Sequence, residues 1–297
     1  MTNIAKIDEE VNEISSLKSL TEVYGEIAAI RMRRVRDLVL KNRDFLAAID
    51  SVFRDCLASY AQKLANLVKL GKLRKGQKVT FLGHNGKTVA TLISANTRFY
   101  GEVLRSTFDK FIEDVRKHDY EVTIIGKVGR GMFIDAEPNR PYTYFELPDF
   151  GTDANAISQT IAHLVQYQEI RVYFAKYESV VRQKATDVAI SAGTEVKDVV
   201  ATPTRTFIFE PSLEKVLMFF ETQIFASLFD QSIRESQLAK MASRILAMDK
   251  ASGSINDRLK ALRFEKIKLR HQREDKKLLS SIVPVIELTS GRVAAQY

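Results

Sequence analysis

Tryptophan is absent, cysteine occurs once, and proline is found only at 138, 141, 148, 203, 211 and 284 of the 297 residues. Each scarcity excludes something. The lone Cys56 cannot form an internal disulfide, and in the apolar repeat Phe53, Cys56, Tyr60 it suits a small buried hydrophobe, so a reducing compartment is expected. No apolar run reaches the roughly 18 residues of a membrane span, and Met1–Glu10 lack the basic and apolar pattern of a secretory leader. A soluble, folded chain is expected from the 45% hydrophobic content. The four histidines (84, 118, 163, 271) have no i, i+4 histidine partner and no cysteine or carboxylate cluster at metal spacing, so neither metal nor cofactor is expected. Carboxylates are scattered among basic residues, as in Glu274-Asp275-Lys276-Lys277, and Ser252, Ser280 and Ser281 lack a glycine-rich elbow. No catalytic residue emerges.

What is abundant is positive charge: 45 basic against 37 acidic residues give +8, with a pI near 9.4. This permits an acidic protein, an anionic membrane surface or nucleic acid as partner. No aromatic-basic RNA-binding motif accompanies it, so nucleic acid is not expected.

The missing prolines mark two long helices. From Met1 to Leu70 there is no proline and one glycine, Gly25; from Ser212 to Val283 there is again no proline and one glycine, Gly253. In the second stretch apolar positions alternate three and four apart: Leu238, Met241, Ile245, Met248, then Ser252, Ile255, Leu259, Leu262, with Lys266 and Leu269 continuing. That is a heptad seam with polar interruptions. The first stretch reads similarly at Ile14, Leu17, Leu20, Tyr24, Ile27 and again at Leu46, Ile49, Phe53, Cys56, Tyr60, Leu67. The simplest burial for both seams is against each other, as an antiparallel coiled coil made from the chain's two ends, residues 1–70 and 212–297. Gly253 would be the weakest point of the second helix or a place of close helix approach. The tail from Ile282 to Tyr297 is expected to be broken by Pro284.

Residues 71–211 read as an inserted Rossmann-like α/β domain. Strands are predicted at Val79–Leu82, Val89–Ser94, Glu121–Gly126, Tyr142–Leu147, Ile170–Tyr177 and Thr206–Glu210, and helices at Glu102–Lys117 and Ala154–Tyr167. Gly83-His84-Asn85-Gly86-Lys87-Thr88 ends like a phosphate-binding loop, yet Phe81 stands where the first glycine is needed and a strand pattern follows where a helix should. Asn85-Gly86 instead predicts a two-residue hairpin turn joining Val79–Leu82 to Val89–Ser94. The cluster Arg31, Arg33, Arg34, Arg36 is open to two readings: a solvated helix segment, or an arginine collar that meets acidic loops of a surrounding protein.

Short motifs in this frame resemble the gamma subunit of F-type ATP synthases. Arg244-Ile245-Leu246-Ala247-Met248-Asp249-Lys250-Ala251 is similar to the family's R-M-x-A-M-x-x-A run. Gly126-Lys127-Val128-Gly129-Arg130-Gly131-Met132-Phe133 is similar to its G-x-K-G-R-x-x-F segment, and Lys176-Tyr177-Glu178-Ser179 with Gln183 to its K-F-x-S-x-x-x-Q strand exit. The family's arginine-glutamine pair falls on Arg270-His271. Departures are clear: the Ser-Glu pair falls on Ala239-Lys240, and the S-D-R-G-L-C-G-G turn keeps only Ser94 and Gly101.

The resemblance implies a non-catalytic rotor shaft coupling ion-driven rotation to ATP synthesis or hydrolysis in other subunits. Its implied partners are alpha and beta subunits, an epsilon-type subunit and a membrane rotor ring, on the cytoplasmic face of a bacterial inner membrane or the mitochondrial matrix face. It implies rotor–stator contacts at Arg244, Met248, Arg270, Arg31 and Arg34. Met248 lies on the seam and is expected to pack, whereas Arg244 and Arg270 lie beside it and are expected to project outward. The rival reading, carried by charge and the arginine cluster, is a basic coiled-coil scaffold or nucleic-acid-binding protein with an α/β head.

Overall fold

The computed structural model describes residues 2–69, 78–79, 85–191, 194–195, 210 and 213–294. Two long helices, α1 (Thr2–Lys69) and α5 (Leu213–Ala294), bracket the elements between them. These are β1 (Lys78–Val79), β2 (Thr88–Ile93), α2 (Val103–Lys117), β3 (Glu121–Ile125), α3 (Lys127–Ala136), β4 (Thr143–Phe145), α4 (Ala154–Leu164), β5 (Glu169–Tyr177), β6 (Gln183–Ser191) and β7 (Thr194–Glu195). α5 continues through Pro284 rather than breaking there; a proline removes its own N–H from the ladder and can kink a helix without ending it. Predicted strand residues 80–82 and 206–209, and the side chains of Tyr60 and Leu67, lie outside the described residues.

The chain divides into two compact units, Met1–Glu26 with Met248–Tyr297, and Ile27–Ala247. Within the first, Arg258 donates to Glu10 at 2.6 Å and Lys266 donates to Asp8. A Cβ placed on Gly25 would lie 3.6 Å from that of Met248. Rising numbers on α1 meet falling numbers on α5, which is the antiparallel pairing the two seams require. Within the second unit the same sense holds. Ala28 clusters with Ala239 and Met241, and Val35 and Val39 with Leu238. Asn42 donates to the Ser227 carbonyl at 3.3 Å, and the Phe53 and Phe220 rings are 6.1 Å apart.

The α5 seam holds as predicted: Leu238, Met241, Leu259 and Leu262 are buried, and the positions between are partly buried. The first half of the α1 seam does not. Leu17, Leu20, Tyr24 and Ile27 are exposed, while Ile7, Thr21, Ala28, Val35 and Val39 are buried. The true stripe keeps the 3.5-residue repeat with small side chains at its centre, Thr21, Gly25 and Ala28, where a bulky residue would hold the helices apart. Large apolar residues there mark the outer face. Gly253 has nothing within 4 Å of an added Cβ, so it is not a point of close approach.

In the second unit, five strands form one sheet in the order β4-β3-β2-β5-β6, all parallel except the β5–β6 hairpin. β2 is central and its apolar residues are buried on both faces, as the unbroken run Val89-Ala90 and Leu92-Ile93 requires. α2 and α3 cover one face through Phe108, Phe111, Ile112, Val115 and Phe133. The other face packs against Leu164 of α4 and Phe225, Phe229 and Ile233 of α5. Asp153 caps α4 by accepting from Asn155 N at 3.0 Å and Ala156 N at 3.1 Å. Arg140 holds the far end of α2 by donating to the carbonyls of Val115, His118 and Tyr120.

The predicted hairpin at Asn85-Gly86 does not form. Both hydrogen-bonding edges of β2 are taken by parallel strands, and β1 pairs with β7 in a separate two-stranded sheet. The turn itself is real: Gly86 has φ +74 and the Asn85 side chain accepts from Lys87 N at 2.9 Å. It leads into a parallel strand, so the long-range pairing overrode a local hairpin preference. Lys87 is bound to Glu121 at 2.6 Å, which also accepts from the Tyr167 hydroxyl at 2.5 Å; Lys87 is raised by Glu121, and Glu121 is lowered by Lys87 and then Tyr167.

Candidate functional site

The strand order reverses on either side of β2, so its carboxyl end opens the crevice where an α/β sheet ordinarily receives a ligand. Here that crevice is occupied by the chain itself. The turn Ser94-Ala95-Asn96-Thr97-Arg98-Phe99-Tyr100-Gly101 leaves β2, and the N-terminus of α3 sits directly over it. Val128 N donates to the Ala95 carbonyl at 2.8 Å and Lys127 N to the Asn96 side chain at 3.1 Å. Such close approach is why the segment carries glycines. Gly126 has φ +102 and an added Cβ would lie 2.8 Å from Ala95 backbone; one on Gly129 would lie 2.6 Å from Ser94 Cβ. Only Gly131 of the three has open space. Phe133 ends the motif in the core.

About two turns of α5 close the crevice. Gln237 donates to the Gly151 carbonyl at 2.9 Å, Lys240 Nζ to the Ser94 carbonyl at 2.8 Å, and Ser243 Oγ to the Tyr100 carbonyl at 2.6 Å. Arg244 donates to Thr97 Oγ1 at 3.1 Å and the Arg98 carbonyl at 3.0 Å, with its guanidinium 4.0 Å from the Tyr100 ring centroid. Among the described residues its Nε has no acceptor, which the cation–π contact partly offsets. Opposite them Asp149 is fully engaged, accepting from Asn96 N at 2.8 Å, Thr97 N at 2.9 Å and Thr97 Oγ1 at 2.7 Å. Lys240 lies 3.8 Å from Asp149, an ion pair beyond hydrogen-bond reach.

Lys240 is buried with Arg244 near it and Asp149 as its counter-charge, and the electrostatics reflect it. Burial pushes the Lys240 amine down to about 8, against the pull of Asp149 and with the help of Arg244. Burial likewise raises the Tyr100 hydroxyl.

The candidate residues separate into distinct environments. Arg244 does not project outward: it is 7% exposed and bound as above, because beside-the-seam positions on this stretch face the sheet instead of solvent. Met248 is partly buried opposite Gly25. Arg270 is exposed and pairs with Glu274 one turn on at 3.1 Å. Arg34 is exposed, and Arg31 lies with its guanidinium 5.1 Å from the Phe150 ring centroid. Lys176–Gln183 runs from the end of β5 through the turn to the start of β6, and in it Arg182 N donates to Ser179 Oγ at 3.0 Å and Gln183 to the Ser179 and Val180 carbonyls. Sequence reading passed over Asp149 and Tyr100 and met Lys240 only as a departure. The available signal was a lysine set among Ala239, Met241 and Ala242.

The ATP synthase family model matches residues 3–279, nearly the whole of this architecture. The chain belongs to the ATP synthase gamma-chain family. Relatives include the ATP synthase gamma chain of Caulobacter vibrioides, 23% identical over 94% of this chain and 98% of the relative. That of Clostridium novyi is 24% identical over 98% and 97%. Among solved structures, the central stalk and c-ring of the Tetrahymena thermophila mitochondrial ATP synthase has a chain of similar fold, with TM-score 0.56 at 17% identity over 78% of this chain and 99% of that one. A chain of the Euglena gracilis mitochondrial ATP synthase gives 0.55 at 14% identity over 88% and 95%. The long helices and the sheet between them are therefore the gamma-chain fold, and the glycine-dependent packing at Gly126 and Gly129 underlies the motif met in the sequence.

Proposed function

We propose that this gamma-family chain works as the central shaft of a rotary ATP synthase, turning inside a ring of alpha and beta subunits and resting on a membrane rotor ring beside an epsilon-type subunit. The observation that carries this beyond family membership is the inverted seam of α1. Small residues bind the helices together, and Leu17, Leu20, Val23 and Tyr24 are left exposed on the outside. An apolar outer face suits a bearing, because dispersion contacts are individually small and similar at every angle, whereas a tight ion pair at one angle would trap rotation. ATP chemistry belongs to the partners, and this chain supplies asymmetric contact. As it turns, each surrounding subunit's preferred conformation shifts by its differential contact with the shaft.

Arg270 and Arg34, exposed, and Arg31 and Met248, partly buried, are the proposed contacts with the surrounding ring. Arg244 acts from within, through the turn it holds. Membrane association is peripheral, through the complex, on the cytoplasmic face of a bacterial inner membrane or the matrix face of a mitochondrial one; among the described residues no helix is long and apolar enough to cross a membrane.

The test is purification of the native tagged chain from membranes, followed by assay of ATP hydrolysis and ATP-driven ion pumping. An ATP-hydrolysing complex is expected, and Arg270→Ala is expected to assemble normally yet pump less ion per ATP. Recovery of the chain with nucleic acid and no ATPase would overturn the proposal.

A further inference from the structure

The polar row Gln237, Lys240, Ser243 and Arg244 is out of proportion to the packing around it. The α5 residues interleaved with it are Leu238, Ala239, Met241 and Ala242, all buried. Ala239 and Ala242 are small and give a smooth local surface, which adds little to the axial register that the larger Phe225, Phe229 and Ile233 favour earlier along α5. The polar groups do fix it. Lys240 is 3% exposed, and its ammonium has one carbonyl acceptor, Ser94, and one counter-charge, Asp149. The other charged group facing it is Arg244, on α5 itself. Moved along or around the helix axis, this ammonium would be buried with no partner, which is far more costly than a lost apolar contact.

Asp149 cannot relax to follow it. Both carboxylate oxygens are already held by Asn96 and Thr97, and the Asn96 side chain in turn receives Lys127 N and donates to the Leu147 carbonyl. The acceptors for Lys240 thus belong to the ends of β2 and the loop after β4, fixed from several sides. A buried charge in such a place adds little net stability over an apolar residue of similar size, and its best-attested use is to specify register.

We infer that Lys240 is a register pin: it locks the 237–244 stretch of α5 to the carboxyl end of β2, so that this part of the shaft and the sheet turn together without slip. Lys240 is a positioning residue; it touches no nucleotide. The pin itself stands on the geometry of this chain, and its value for coupling rests on the shaft function proposed above.

The experiment is a distance measurement between nitroxide labels at Met218 on α5 and Arg105 on α2, both exposed, in the full chain with Cys56 replaced by alanine. The parent chain is expected to give one narrow distance. Lys240→Met, similar in length and apolar, is expected to fold with an undiminished melting temperature and to show a second population displaced by about one helical turn, ~5 Å. In the assembled complex the same variant should hydrolyse ATP with reduced ion pumping per ATP. A single unchanged distance in Lys240→Met overturns the pin whatever the complex does. Should that variant not fold, Asp149→Asn decides the matter by the same readout, a second distance supporting the pin and one unchanged distance overturning it. Failure of the unmodified chain to join an ATPase would instead count against the shaft function and leave the distance result to judge the pin.

Discussion

Two stretches of α5 carry the same three-four repeat and use their charged residues in opposite ways. In the first unit Arg258 and Lys266 reach Glu10 and Asp8 on α1, and all four side chains are at least about two-fifths exposed. In the second unit, Lys240 and Arg244 are buried against the sheet. Exposed pairs of the first kind are screened and nearly neutral in energy. The second kind cannot be misplaced without leaving a buried charge unpartnered. A heptad pattern therefore tells where helices meet, and the burial of its charged neighbours tells whether the meeting is a soft rail or a fixed joint.

The largest expected effect lies at the joint. Gly126→Ala places a methyl against Ala95 backbone in a left-handed conformation, and urea unfolding should register a loss of about 3 kcal/mol or more. Gly253→Ala is its counterpart on the rail: the added methyl meets nothing, and a helix-interior alanine should gain about 0.5–1 kcal/mol. Equal losses at both glycines would erase the distinction between joint and rail.

A pH titration of stability sharpens it further. The Lys240 amine, lowered to about 8 in the folded chain from an ordinary 10.5, binds fewer protons than in the unfolded chain between those values. Unfolding free energy should therefore rise as pH increases from about 8 to about 10, by roughly 1–2 kcal/mol. Beyond that, Tyr167, raised to about 12 by burial and Glu121, and Tyr173, raised by burial and Asp114, turn the trend downward. Lys240→Met should flatten the rise, which denaturant titrations at three pH values would detect; a rise that persists in the variant assigns it elsewhere. The smallest effect belongs to the rail. Arg258→Ala should change stability by no more than about 0.5 kcal/mol and respond little to added salt, and a loss comparable to that of Gly126→Ala would contradict its description as a soft contact.

The same contrast explains what was legible in the sequence. The α5 seam was readable because Leu238, Met241, Leu259 and Leu262 are large, apolar and evenly spaced. The start of the α1 seam was not, because Thr21, Gly25 and Ala28 are small and the eye follows Leu17, Leu20 and Tyr24, which face outward. Strands β2, β3 and β5 were visible as apolar runs. The partner of β2 was misjudged because Asn85-Gly86 is a local signal, while the pairing with β3 and β5 depends on residues far along the chain. The joint was nearly invisible: Lys240 looks like any helix lysine until Ser94 and Asp149 are brought to it by the fold, and Arg244 was expected outside for want of that same information.

The central claim, that this chain is a rotating shaft, is tested most directly by watching it turn. A bead attached through a cysteine at the exposed Asp135, in the Cys56→Ala chain assembled with its catalytic partners fixed to a surface, should rotate in one direction when ATP is supplied and stop when it is withdrawn. A complex that hydrolyses ATP while the bead only fluctuates about one angle would contradict the claim.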